Sequence, residues 1–377
     1  MLDFKHKAIE LLNEADVKVN GDRPWDIQVH NEQVYERVLR GGTLAFGEAY
    51  MDGWFDIERL DLFFEKVFKA KLDEKIQPKT LLLYYLKSLI FNPHMNKKSS
   101  FKVGQQHYDV GNDLYKIMLD KRLTYTCAYW DAFQELPAAK DLDTAQEHKL
   151  EMVCRKIGLK KGDKILDIGC GWGSFMIYAA EKYGVECTGI TVSKEQAKYI
   201  DEAKGDLPIE VRVQDYRDIQ GMYDHIVSLG MFEHVGYKNY RTYMKVVHDH
   251  LKDNGLFLLQ TIGGNVSTTK VDPWMEKYIF PNSMLPSMAQ IAKAAEKLFV
   301  MEDWHNIGVH YDTTLMSWYE NFVRGWPQLK GKYSERFYRM WIFYLLSSAA
   351  SFRIRMHQVW QIVFSKHGVE GGYKSLR

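Results

Sequence analysis

Residues 165–173, Ile-Leu-Asp-Ile-Gly-Cys-Gly-Trp-Gly, have the types and spacing to hold a small ligand. An apolar run ends in an acid and passes straight into glycines at every second position. Only glycine lacks the Cβ that keeps backbone away from a ligand, so such a turn brings N–H groups close to one. The amphipathic stretch from Ser174 to Tyr183 reads as a helix opening onto the turn. Dinucleotide-binding folds use a similar turn, but they want an acid at the end of the next strand, about 20 residues on, for the ribose hydroxyls. Here that strand, Glu186 to Thr191, ends in Thr-Val-Ser, and Gln196 follows one helical turn later. The pattern leans towards the S-adenosylmethionine (SAM) version of the turn, with Asp167 near the ligand's amino-acid end. A tight turn in an ordinary α/β core is the alternative.

The elements that must position this turn follow from periodicity. Strands are expected at 164–168, 185–190, 209–213, 223–228 and 255–261, with helical stretches between them. That alternation predicts a doubly wound α/β sheet, with ligands at the carboxyl ends of the strands. Two late strands, Val300 to Ile307 and Val359 to Ser365, follow among more helix. Residues 1–91 read as mostly helical, with amphipathic helices at Lys5 to Glu14, Glu32 to Leu39 and Leu60 to Lys71. Between them, Gly41 to Trp54 is rich in glycine and aromatics. Thr80 to Phe91 has a dense apolar face broken only by Lys87 and Ser88. It is too short to span a bilayer, so it is either a domain-packing helix or a surface for lipid or a second subunit. The polar, basic stretch Asn92 to Ser100 reads as a linker, which divides the chain into 1–95 and 96–377.

Composition narrows the class. The net charge of +1 gives no global field towards nucleic acid or anionic lipid, so no nucleic-acid partner is expected. The four cysteines, Cys127, Cys154, Cys170 and Cys187, have neither metal-ligand spacing nor the density of a disulfide framework, which fits a reducing cytoplasm and no metal. The first residues lack the apolar core of a signal peptide, and a soluble or peripheral protein is expected. The 10 Trp, 23 Tyr and 19 Phe suit either an apolar, cation-handling pocket or a large aromatic core.

Further stretches align with the glycine turn: His107–Asp113, Tyr125–Trp130, Gln214–Asp218, Gly230–Gly236, Asp272–Trp274 with Tyr278–Pro281, and Trp304–Asn306 with Tyr311–Thr314. Together they closely resemble the cyclopropane-fatty-acyl-phospholipid synthases, over nearly the whole chain, including Leu44 to Trp54. The resemblance implies a Rossmann-like class I SAM-dependent methyltransferase domain at 96–377, after a small helical lipid-binding domain at 1–95. It implies transfer of a methylene from SAM to the cis double bond of unsaturated phospholipid acyl chains. It also implies peripheral contact with the membrane through the first domain, a cytoplasmic enzyme transiently at the inner face of the membrane, and a homodimer.

That chemistry makes demands. An isolated alkene is a poor nucleophile, so the donor must be strongly activated and held in line. Methyl transfer leaves a carbocation, which aromatic faces stabilise by roughly 0.5–2 kcal/mol each. Tyr129, Trp130, Phe232, Trp274 and Tyr278 are the available rings. By resemblance the base that closes the ring is a bound bicarbonate, held by Cys127, Glu233 and Tyr311 with the backbone near Gly230. Backbone donors and polar side chains suit an anion. Glu233 would repel bicarbonate unless a shared proton makes one of them a donor. The family usually has a histidine where this chain has Gln260, which can donate a hydrogen bond but cannot carry a proton at neutral pH. His234, His305 and His310 could take over that role. A C-methyltransferase giving methyl-branched chains without ring closure is the alternative reading. For SAM, the resemblance assigns Tyr108, Tyr125 and Thr126 to the methionine end, beside Asp167, Gly169, Gly171 and Gly173. It assigns Gln196 with Thr191 to the ribose, and Gln214 with Asp215 to the adenine. An inactive lipid carrier and a small-molecule N-methyltransferase are weaker alternatives, since the first keeps the whole motif set and the second has no use for the apolar first domain.

Overall fold

The structure, a computed structural model, describes residues 4–75, 111–269 and 271–377. Along the chain run α1 (Phe4–Glu14), β1 (Gln28–Val29), α2 (Val34–Met51), β2 (Phe55–Asp56), α3 (Leu60–Lys69), α4 (Leu72–Lys75), α5 (Asn112–Met118) and α6 (Leu142–Lys156). Then come β3 (Lys164–Ile168), α7 (Ser174–Tyr183), β4 (Glu186–Thr191), α8 (Lys194–Ala203), β5 (Ile209–Val213), β6 (Tyr223–Leu229), α9 (Tyr240–His250) and β7 (Leu251–Gly264). The chain closes with α10 (Pro273–Tyr278), α11 (Met288–Ala295), β8 (Val300–Asn306), α12 (Val309–Leu329), α13 (Glu335–Arg353) and β9 (His357–Ser365).

The seven strands β3 to β9 form one sheet in the order β5-β4-β3-β6-β7-β9-β8. Its first five members are parallel, whereas β9 runs antiparallel to both β7 and β8. The order reverses between β3 and β6, so the crevice at their carboxyl ends is the place where this architecture binds ligands. One face of the sheet packs on α6 and α7 through Leu150, Val153, Cys154, Phe175, Met176 and Ala179 against Ile165, Val227, Leu258 and Val363. Each such fully buried side chain contributes about 1.5–3 kcal/mol. Asp141 starts α6 by accepting from the Thr144 N–H at 2.8 Å, and Gly184 stops α7 in the left-handed region.

The described residues divide into two compact units, and the division differs from the expected cut at residue 95. Residues 271–281 and 315–356 pack with 4–75, while the sheet unit takes 111–269, 282–314 and 357–377. The reason lies in α13, whose apolar face is completed by α2 and α3. Phe343 meets Phe64 edge-on at 5.0 Å, and Trp274 of α10 at 4.4 Å. Phe46 stacks on Phe63 at 5.5 Å. Beneath these rings the buried Asp61 carboxylate pairs with Arg59 and with Arg353, both at 2.9 Å. The glycine-rich segment is helical: α2 continues through Gly42 with a kink (φ 63°, ψ −148°), and Ala45, Ala49, Tyr50 and Met51 are buried. Thr80 to Phe91, the linker and Tyr108 lie outside the described residues. No helix among the described residues is long and apolar enough to cross a membrane.

Candidate active site

At the end of β3 the chain turns over its own neighbour. The Gly169 and Cys170 N–H groups both donate to the Ile190 carbonyl of β4, at 3.0 and 3.1 Å. Gly169 (φ +83°) could not carry a side chain, because a Cβ there would fall 2.6 Å from the Met231 Cβ. Gly171 (φ +55°) has open space where its Cβ would be. Trp172 is held by Asn112 (Nε1 to Oδ1, 3.1 Å) and by the Tyr115 ring at 4.7 Å, and Tyr115 meets Tyr125 edge-on at 5.3 Å. The turn and Tyr125 are thereby brought together.

Three buried polar atoms at these strand ends have no hydrogen-bond partner: Asp167 Oδ1, Gln196 Nε2 and Gln214 Nε2. Gln196 is oriented by Thr191, whose hydroxyl donates to its Oε1 at 2.7 Å. Burial pushes the Asp167 carboxyl up to about 7, with Lys149 pulling the other way. Unpaired buried polar atoms are costly, and one acceptor with two amide donors matches a zwitterionic nucleoside such as SAM. Asp215 is engaged differently from Gln214: Arg217 clasps both its oxygens, at 2.7 and 2.8 Å.

A second cluster lies at the ends of β6 and β7. Gly230 donates its N–H to the Gln260 carbonyl at 2.9 Å, and a Cβ on Gly230 would meet Thr126 Cγ2 at 3.0 Å. The Glu233 carboxyl is buried; Oε1 accepts from the Ile262 N–H at 2.6 Å and Oε2 has no partner. Burial raises its pKa to about 7, opposed by that N–H. The buried Cys127 thiol lies 3.3 Å from the Ala128 carbonyl and 3.8 Å from that of Ile307, and burial pushes it up, so it stays a thiol. Thr314 of α12 accepts from the Ala128 N–H at 3.2 Å and from Trp130 Nε1 at 3.1 Å. Tyr311, also buried, sits one turn earlier on that helix. Gly230, Glu233 and Gln260 are thus brought together at the ends of β6 and β7, Cys127 is tied to them by its chain neighbour Thr126, and Tyr311 shares α12 with Thr314.

Two of the histidines that could stand in for a proton carrier at Gln260 have their pKa values lowered by burial. Gln260 accepts from Gln361 Nε2 at 2.9 Å, and Gln361 is paired in register with His305. His305 Nδ1 meets Lys156 Nζ at 2.9 Å; burial, Lys156 and Arg377 hold its pKa down to about 3, so it is neutral at physiological pH. His310 is lowered by burial as well, with its ring 4.4 Å from that of Tyr129. Two of the available rings are buried against other rings: Phe232 stacks on Tyr240 at 4.2 Å, and Trp274 packs on Phe343 in the other unit. One buried group was missed by the sequence reading. Lys149 of α6 donates to Thr126 Oγ1 at 2.8 Å. A lysine on the apolar face of a helix, between Gln146 and Val153, was its only signal.

The sheet order and the glycine turn define the class: a Rossmann-like SAM-dependent methyltransferase of class I. Within it, the chain belongs to the mycolic acid cyclopropane synthetase family, whose model matches residues 95–362. It is 49% identical over 371 residues to the cyclopropane-fatty-acyl-phospholipid synthase of Escherichia coli (strain K12), covering 98% of this chain and 95% of the relative. A mycolic acid cyclopropane synthase solved in complex with SAH and CTAB is 30% identical, with a TM-score of 0.65 over 71% of this chain and 98% of that one. Coclaurine N-methyltransferase, at 21% identity and a TM-score of 0.69 over 85% of this chain and 98% of that one, shares the fold.

Proposed function

We propose that the enzyme transfers a methylene from SAM to the cis double bond of unsaturated phospholipid acyl chains, with bicarbonate as the base that closes the ring. The observation that carries this reading is Glu233: a buried carboxyl at the end of β6 with one oxygen unpaired and a pKa near 7. SAM supplies an electrophilic methyl group and bicarbonate a small base. Asp167 Oδ1 would accept from the amino end of SAM, Gln196 Nε2 would donate to the ribose, and Gln214 Nε2 to the adenine. Tyr108, Tyr125 and Thr126 would close the methionine end, and Asp215 would reach the adenine with acceptor capacity that Arg217 leaves. Cys127 and Tyr311 would orient the base, and Gly230, whose N–H is given to the Gln260 carbonyl, would shape the wall beside them. Glu233 can hold a proton at Oε2 near neutral pH, which turns a repelling carboxylate into a donor. Gln260 would orient without carrying a proton, because its amide is fixed by Gln361.

Two further parts of the proposal are peripheral contact with the inner face of the membrane and a homodimer. In the described part of the first unit no large hydrophobic side chain is exposed. Between Leu44 and Trp54, Ala45, Ala49, Tyr50 and Met51 are buried, so lipid contact would rest on Thr80 to Phe91 and on Lys97 and Lys98. Vesicle sedimentation and light scattering test these two statements.

The decisive experiment incubates the full-length protein with SAM and unsaturated phospholipid vesicles, then analyses the extracted lipid by mass spectrometry. A gain of CH₂, about 14 mass units, with ring-type fragmentation is expected. A methyl branch in its place would make the enzyme a C-methyltransferase, and an unchanged lipid would remove bilayer acyl chains as the substrate.

A further inference from the structure

The proposed base site contains a thiol, a carboxyl, a phenol and an amide, and among its described residues no cation. A buried anion without a counter-charge is costly. One buried cation reaches this site through a single side chain. Lys149 is 1% exposed, and its Nζ donates to Thr126 Oγ1 at 2.8 Å. Thr126 in turn sets its Cγ2 methyl against Gly230 and immediately precedes Cys127. Gln146, one turn earlier on α6, donates to the carbonyls of Thr124 at 3.2 Å and Thr126 at 2.8 Å. Two side chains of one helix therefore grip the strap that supplies Tyr125, Thr126 and Cys127. An ammonium only donates, so the Thr126 oxygen accepts from it and the Thr126 proton is directed elsewhere.

The titratable groups facing Lys149 are Asp120 from the loop after α5, Cys127 from the strap and Asp167 from the end of β3. Burial raises all three while Lys149 draws each of them down, so Asp120 and Asp167 share its charge with the strap. Burial also brings Lys149 down to about 8, which leaves it charged at neutral pH.

We infer that Lys149 is the counter-cation of the base site, acting through the Thr126 hydroxyl to make the space beside Cys127 and Gly230 an anion pocket. Lys149 is a positioning residue, since it acts through Thr126. The inference rests on the proposal that bicarbonate is the base.

Titration of ¹³C-bicarbonate into the full-length protein, followed by ¹³C resonance shift and linewidth, tests it directly. Lys149→Met and Thr126→Val should each weaken binding at least tenfold, while Lys149→Arg should stay within about threefold of the wild type, as expected for a loss near 1.4 kcal/mol or more. Wild-type affinity should fall in two steps, as Glu233 ionises near pH 7 and as Lys149 loses its proton near pH 8, and Lys149→Arg should remove only the second. Bicarbonate binding to Lys149→Met equal to the wild type overturns the role of Lys149 while the base assignment stands. No binding to the wild type overturns the base assignment and this inference with it. Should Lys149→Met not fold, Thr126→Val carries the test, and undiminished binding by that variant overturns the relay.

Discussion

The glycine turn and the base site sit at neighbouring strand ends and are built in opposite ways. The turn is continuous, from Asp167 to Gly173, and its shape follows from glycine conformations and two hydrogen bonds to Ile190. The proposed base site would draw Cys127, Gly230, Glu233, Gln260 and Tyr311 from the ends of β6, β7 and α12 and one loop strap, with Thr126, Ile262 and Thr314 beside them. A continuous site tolerates change elsewhere but fails at single glycines. A dispersed site depends on residues that never meet the substrate.

The largest effect is expected at the turn. Gly169→Val adds strain at φ +83° and a clash with Met231, so SAM affinity should fall at least about 100-fold with circular dichroism unchanged. Calorimetric titration checks it, and wild-type affinity in a folded variant would break the assignment of the turn. Gly171→Ala sharpens the point. No protein atom lies within 4 Å of the added Cβ, and the backbone cost is about 1–2 kcal/mol, so a larger loss of SAM binding must come from the ligand itself.

Next in size is Glu233→Gln, expected to lower ring formation by about 10²-fold while SAM binding stays near normal. Wild-type activity should fall in degassed buffer and recover with bicarbonate but not chloride; the variant should respond weakly. Indifference of the wild type to bicarbonate would make a protein side chain the base.

Thr314→Val tests the dispersed design at a distance. It leaves the buried Ala128 N–H without its acceptor, at a cost of about 1–3 kcal/mol. Turnover should drop roughly tenfold through the displaced Cys127, with SAM affinity unchanged, because the turn does not depend on Thr314. Equal losses in both would show that the two sites are one packing unit.

The smallest effect concerns stability. Glu233 has a folded pKa of about 7 against an ordinary 4.5. Its contribution is fully present below about 4.5 and is lost as the pH rises through 7, where ionisation is resisted by the fold. Asp167 acts with the same sign. Glu233→Gln removes its share, so the variant should gain on the wild type between pH 5 and pH 8, on the order of 1–3 kcal/mol, by thermal melts across that range. Parallel melting curves at all pH values would place Glu233 in a wetter setting.

Deleting residues 1–99 would not isolate a catalytic domain. It would strip α2 and α3 from α13 and expose Phe343 and Trp274, so aggregation is the expected result, read by light scattering.

The local features were legible without coordinates. Lys164–Ile168 and Ser174–Tyr183 were placed residue for residue, since period-2 and period-3.6 patterns and a glycine turn are short-range signals. The unit boundary was not legible, because apolar residues of α13 do not announce that their partners lie nearly 300 residues earlier. The aromatic stretch at 41–54 shows no more than its composition for the same reason: only packing tells a core ring from an interfacial one. Glu233, Cys127 and Tyr311 could be named from their motifs, but the sequence could not show that Glu233 keeps one oxygen unpaired. Nor could it show that burial, with Lys156 and Arg377, keeps His305 neutral, or that Lys149 points at Thr126. Those facts depend on burial and on side chains from distant strands meeting, and desolvation is a property of the tertiary structure, not of any residue in the chain.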